Sequence, residues 1–125
     1  MNWLARFRKR PARETLLNDG LALAMDWGDR WLAPIQERLR VQHPWLTPDA
    51  LDELDAVCQA AMRFGHETAY RLAAENAKQV DAGAFTASLR ARFGWVDDAN
   101  AERLLRQSVY YLWKAGGPPR DAGAS

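Results

Sequence analysis

The sequence predicts an all-α domain, an irregular bundle of four to five helices around one long central helix. Three observations carry that prediction. Apolar residues recur at three- and four-residue steps along most of the chain, the spacing of an amphipathic helix. No stretch alternates apolar and polar residues long enough to make a strand. The breaks between periodic segments carry proline, glycine and capping side chains. The sequence is read as having no internal repeat.

The first pattern runs from Glu14 to Arg40, with Leu17, Leu21, Ala24, Gly28, Trp31, Ile35 and Leu39 on one face. Pro34 lies inside it, removing a backbone donor and crowding the carbonyl of Arg30, so a kink or a break is expected there. The segment QHPWLTPD then punctuates the chain with Pro44 and Pro48. Thr47 as N-cap, Pro48 at the first helical position and Asp49 in the first turn mark a helix start. That helix is expected to reach Lys78 and to be the spine, about 45 Å long at 1.5 Å per residue. Leu51, Leu54, Cys58, Ala61, Gly65, Ala69, Leu72 and Asn76 form its apolar face. Asp81 caps a short helix carrying Phe85, Leu89 and Phe93 and ended by Gly94. Asp97 or Asp98 caps the last, which carries Leu104, Leu105, Ser108, Val109, Tyr111, Leu112 and Trp113. Residues 14–115 are thus expected to be one helical domain, with a basic, amphipathic arm over 1–13 and a disordered tail over 116–125.

A chain of 125 residues suffices for one core that buries roughly two thirds of the unfolded surface. Hydrophobic residues make up 48% and charged residues 26%, which excludes a disordered chain, and no apolar run approaches the roughly 20 residues that cross a bilayer. Cys58 is the one cysteine, so no intramolecular disulfide forms and a reducing compartment, the cytoplasm, is expected. No apolar segment follows the charged N-terminus as in a secretory signal. Arginine outnumbers lysine 14 to 3, with 22 alanines and one isoleucine, a bias expected of a GC-rich bacterial genome. Net charge is only +1, yet Arg6, Arg8, Lys9, Arg10 and Arg13 concentrate five positive charges before any acid. Interleaved with Trp3, Leu4 and Phe7, they could rest on an anionic membrane surface or track a nucleic-acid backbone.

His66-Glu67-Thr68-Ala69-Tyr70 reads as the zinc-hydrolase pattern H-E-x-x-H with tyrosine in place of its second histidine. A phenol must lose a proton near pKa 10 before it replaces an imidazole ligand. The other histidine, His43, lies in the proline-bracketed loop, and no spacing requires the two to pair. No metal or cofactor is therefore expected. The helical wheel instead sets His66 and Tyr70 on the shoulder of the apolar stripe, with Arg63 one turn before, as a patch for a small anion or a partner. Gly28 and Gly65 fall in the middle of apolar faces, where each costs about 1 kcal/mol relative to alanine. Close approach of a bulky ring, a tryptophan, is the expected compensation. Trp27, Arg30 and Trp31 beside Pro34 have the composition of an interface hot spot.

There is no phosphate-binding glycine loop, no nucleophile elbow and no cysteine pair at metal spacing. The expected function is a non-catalytic module that binds a protein partner or a second copy of itself. The alternatives are a membrane-surface or nucleic-acid accessory acting through the arm, and a metal-dependent hydrolase centred on His66 and Glu67.

Overall fold

The computed structural model describes residues 11–26 and 33–114, and these form five helices with no strand among them. We label them α1 (Arg13–Ala24), α2 (Gln36–Gln42), α3 (Pro48–Glu75), α4 (Ala82–Arg92) and α5 (Asp98–Lys114). The bundle is all-helical, and α3 is the spine, packing most extensively on α1 and α5. The arm residues 1–10, the segment 27–32 and the tail 115–125 lie outside the described residues. Among the described residues no helix is long and apolar enough to cross a membrane.

Capping chemistry sets the helix starts. Thr47 Oγ1 accepts from Ala50 N at 3.1 Å, with Pro48 leading α3. Asp81 accepts from Ala84 N at 2.8 Å, and Asp97 from Asn100 N at 2.8 Å. These bonds satisfy amide donors that a helix N-terminus leaves without an intrahelical acceptor. Two helix ends differ from expectation. The first pattern breaks: α1 stops at Ala24, ten residues before Pro34, and Ala33–Ile35 are not helical, so Pro34 precedes a new helix. The spine ends at Glu75, because Ala77 and Lys78 take positive φ values of 52° and 69° and Lys78 N turns back to Ala73 O at 2.7 Å.

The described contacts give the helix directions. Arg13 pairs with Glu53, and Cys58 Sγ reaches Leu17 O at 3.3 Å, so α1 and α3 run in the same sense. Along α1 and α5 the rungs are Asn18 with Asn100, Ala22 with Arg103 and Met25 with Gln107, again in the same sense. Arg13, grouped by sequence with the arm, is the first residue of α1 and is held by both Glu53 oxygens at 2.5 and 2.7 Å.

The core joins Leu17, Leu21, Ile35, Leu39, Leu54, Met62, Phe85, Leu89 and Leu104 from all five helices. Each fully buried leucine is worth about 1.5–3 kcal/mol by burial alone. Gly65 is a close-approach glycine, as its position predicts, but the side chain over it is Leu104 and not a tryptophan. A methyl at Gly65 would sit 2.6 Å from Leu104 Cδ2 and 2.8 Å from its Cγ. The fully buried Leu104 has no room to yield, so the clash outweighs the roughly 1 kcal/mol that alanine offers a helix. Gly20 plays the same part in α1, where a methyl would sit 2.8 Å from Cys58 Sγ and 2.9 Å from Ile35 Cδ1. Gly28 lies outside the described residues.

The structure also reveals a repeat that the letters hide. LRVQHPWLTPDALDEL (39–54) and LRARFGWVDDANAERL (89–104) stand fifty residues apart and share Leu, Arg, Trp and Leu at matching positions. Their backbones coincide. His43 and Phe93 end α2 and α4 with φ, ψ of −135°, 74° and −125°, 70°. Leu46 N and Val96 N each bond two-residue turns back to His43 O and Phe93 O at 3.1 Å, and Leu51 N and Ala101 N reach Thr47 O and Asp97 O at 2.9 Å. Burial follows suit at Ile35 and Phe85, Leu39 and Leu89, Leu46 and Val96, Leu54 and Leu104, and Cys58 and Ser108. The chain is therefore built as two helix–turn–helix corners, and α3 belongs to both: its first half closes one, and its second half packs against the other.

Candidate functional site

Four large hydrophobic side chains are exposed among the described residues: Val41, Tyr70, Tyr110 and Trp113. The last three lie on α3 and α5: Tyr70 on the spine, Tyr110 and Trp113 on α5. The close approach at Gly65 brings α5 near enough for the His66 imidazole to reach Tyr111, with ring centroids 6.2 Å apart. Tyr111 is followed edge-on by Tyr110 at 5.2 Å, and Lys114 lies over the Tyr110 ring at 5.9 Å. Tyr70 is one turn beyond His66 on α3, and Trp113 is three residues beyond Tyr110 on α5. Tyr70, Tyr110 and Trp113 keep 41%, 46% and 60% of their surface exposed. The half-buried His66–Tyr111 pair thus joins two helices that each carry exposed aromatics.

Burial pushes the His66 pKa down to about 4, since desolvation disfavours the imidazolium. At neutral pH His66 is an uncharged ring, suited to packing against tyrosine and not to holding an anion by charge. Of the expected patch, Arg63 faces elsewhere: with Ala60, Phe64, Glu67 and Arg92 it lines a shallow cleft of about 180 Å³ on the α4 side of the spine. Trp27, Arg30 and Trp31 lie outside the described residues, as do Arg6, Arg8, Lys9 and Arg10. The residues flanking 27–32 are tied to the spine and α5, however. Met25 O accepts from Gln107 Nε2 at 2.7 Å and from Arg103 at 3.2 Å, while Ala33 O accepts from Gln59 Nε2 at 3.2 Å. Gln59 is two turns before His66 and Gln107 one turn before Tyr111.

The other histidine has a different setting. His43 Nε2 lies 2.8 Å from Asp19 Oδ2, and its ring meets Trp45 edge-on. Among the described residues no three His, Cys, Asp or Glu side chains converge as metal ligands would. Cys58 is buried with its thiol pKa pushed up to about 12, chiefly by desolvation and further by Asp55 and Glu53, so it packs as an inert thiol. A larger cleft of about 570 Å³ opens between α1 and the second corner, lined by residues including Glu14, Asn18, Arg90, Trp95 and Asp97. Three of its polar side chains are engaged in the fold: Asp97 caps α5, Arg90 pairs with Asp98, and Asn18 bonds Trp95 O at 2.8 Å and Asp97 N at 2.9 Å.

Tyr110, Tyr111 and Trp113 were not singled out as a site by the sequence. The signal was there in the wheel, which turns Tyr110 and Trp113 well away from the Leu104, Ser108 and Leu112 stripe. No family model, curated protein or solved structure matches the chain. What the fold defines is an all-helical protein made of two matching corners on a shared spine.

Proposed function

We propose that this is a small bacterial cytoplasmic protein that acts as a non-catalytic interaction module, binding a protein partner through the aromatic face of α3 and α5. The observation that carries the reading is that three of the four large exposed hydrophobics among the described residues, Tyr70, Tyr110 and Trp113, lie on the two helices joined by the His66–Tyr111 ring pair. Tyrosine and tryptophan are the side chains most enriched where interfaces concentrate their energy, because each buries a large rigid surface at little entropic cost. The internal match supports it: the counterparts of Tyr110, Tyr111 and Trp113 in the first corner's helix are Ala60, Ala61 and Arg63, so the matching backbone forms without large rings at these positions.

The test is to change Tyr110 and Trp113 together to alanine. Capture of the partner from a native lysate is expected to be lost while helical content holds, Tyr110 and Trp113 being 46% and 60% exposed. Undiminished capture by the folded variant would refute the reading. Light scattering on the pure protein separates the homodimer form: a mass twice 14.2 kDa that halves in the variant makes the partner a second copy.

A further inference from the structure

Nine arginines lie among the described residues, and seven of them contact a carboxylate. The two that do not, Arg63 and Arg92, line the same cleft between α3 and α4. We propose that this cleft is a binding site for a small oxyanion of phosphate size, held between the Arg63 and Arg92 guanidinium groups.

The geometry favours an anion for three reasons. Arg92 is positioned by rings and not by an acid: its guanidinium carbon stands 5.1 Å from the Phe64 centroid and 5.7 Å from that of Phe93. Such stacking holds the planar fork while leaving its N–H edge free to donate. Arg63 and Phe64 line the same cleft, so the ring that holds Arg92 borders the space both cations face. Two like charges facing one cleft repel, and a bound anion turns that repulsion into paired charge-assisted hydrogen bonds. Glu67 is the one acid in the lining and forms an ion pair with neither arginine, which leaves the cleft net positive. The volume, about 180 Å³, sets the ligand's size. It is below the roughly 300 Å³ at which pockets for drug-sized molecules begin, so it suits a phosphate-size group and not a whole nucleotide. This site stands apart from the aromatic face and does not depend on it.

The full chain, labelled with nitrogen-15, can be titrated with inorganic phosphate at constant ionic strength while the arginine Nε–Hε resonances are followed. Arg63 and Arg92 are expected to shift together and saturate with one dissociation constant, while the ion-paired surface residues Arg40 and Arg71 stay still. Arg92→Gln should weaken phosphate binding on the order of tenfold, the loss of one charge-assisted contact, in a variant whose helical content shows it folded. Glu67→Gln should tighten it several-fold, a gain that mere damage to the fold cannot imitate. Shifts that grow linearly and equally at Arg40 and Arg71, or an affinity unmoved by both variants, would overturn the site. Tighter binding of acetate than of phosphate would overturn the choice of a phosphate-size ligand.

Discussion

In the first corner His43 sets its ring at 76° to Trp45, with centroids 6.1 Å apart; in the second Phe93 sets its ring at 78° to Trp95, with centroids 6.3 Å apart. The backbone asks for a flat ring at this point of the turn, and the surroundings decide which. His43 meets Asp19, whose carboxylate lies 2.8 Å from its Nε2. Phe93 meets Phe64 at 5.7 Å and the Arg92 guanidinium, a setting in which an imidazole would bury a polar ring beside a cation. Adjacent residues of α1 divide the work of fastening these corners: Asp19 holds the first, while Asn18 bonds Trp95 O, Asp97 N and Asn100 of the second. Equivalent turns thus acquire different chemistry from the helix laid against them.

The most severe way to test the equivalence is to cut the same leucine from each corner. Leu39 and Leu89 are both fully buried, and Leu→Ala at such positions costs about 2–5 kcal/mol. Urea unfolding of the two variants should give losses matched to within about 1 kcal/mol. A negligible cost at Leu39 beside a full one at Leu89 would make the first corner an appendage.

Next in size is an effect of pH at His66, on the half of the spine that serves the second corner. The unfolded chain takes up this proton near pH 6.5, the folded chain only near 4. Over that window the unfolded state binds more protons, so stability present above pH 6.5 is lost as pH falls toward 4, by about 3 kcal/mol as an upper bound. His66→Phe should flatten this part of the urea midpoint against pH. An unchanged slope would place the titrating group elsewhere.

Exchanging the corner rings should give unequal costs. Phe93→His is expected to destabilise by about 1–2 kcal/mol, because its surroundings offer the imidazole no acceptor comparable to Asp19. His43→Phe should cost less than about 1 kcal/mol, since it keeps the ring on Trp45 and leaves Asp19 with access to water. Equal costs would mean that the ring, and not its neighbour, carries the difference.

How much of this was legible in the sequence depended on range. Thr47, Asp81 and Asp97 announce their helices because a cap acts within three residues, and all three bonds are present. The glycine at 65 announced a close contact, but a helical wheel names a face and not the neighbour across it, so Leu104 was out of reach. The end of α1 at Ala24 was missed because apolar spacing runs on through Ile35 and Leu39, both buried, although the helix does not. The repeat escaped because the pattern kept burial while changing letters, with Phe for His, Val for Leu and Ser for Cys. Of the site, His66 and Tyr70 were read from their place on the shoulder of the stripe, whereas the α5 half needed the packing of α5 on α3.

The gentlest test concerns Cys58 and Ser108, which the fifty-residue offset makes equivalent. Both are buried in the second helix of their corner. Cys58 Sγ is placed 3.3 Å from Leu17 O, but Ser108 Oγ has no hydrogen-bond partner among the described residues. A thiol tolerates an apolar site far better than a hydroxyl does, since it surrenders little hydration on burial. Ser108→Cys should therefore raise stability by about 1 kcal/mol, and Cys58→Ser should lower it by a similar amount or less because Leu17 O is there to accept. Chemical denaturation under reducing conditions reads both. A loss of stability in Ser108→Cys would show that the hydroxyl is engaged within the fold and that the two corners differ at this point by need, not by drift.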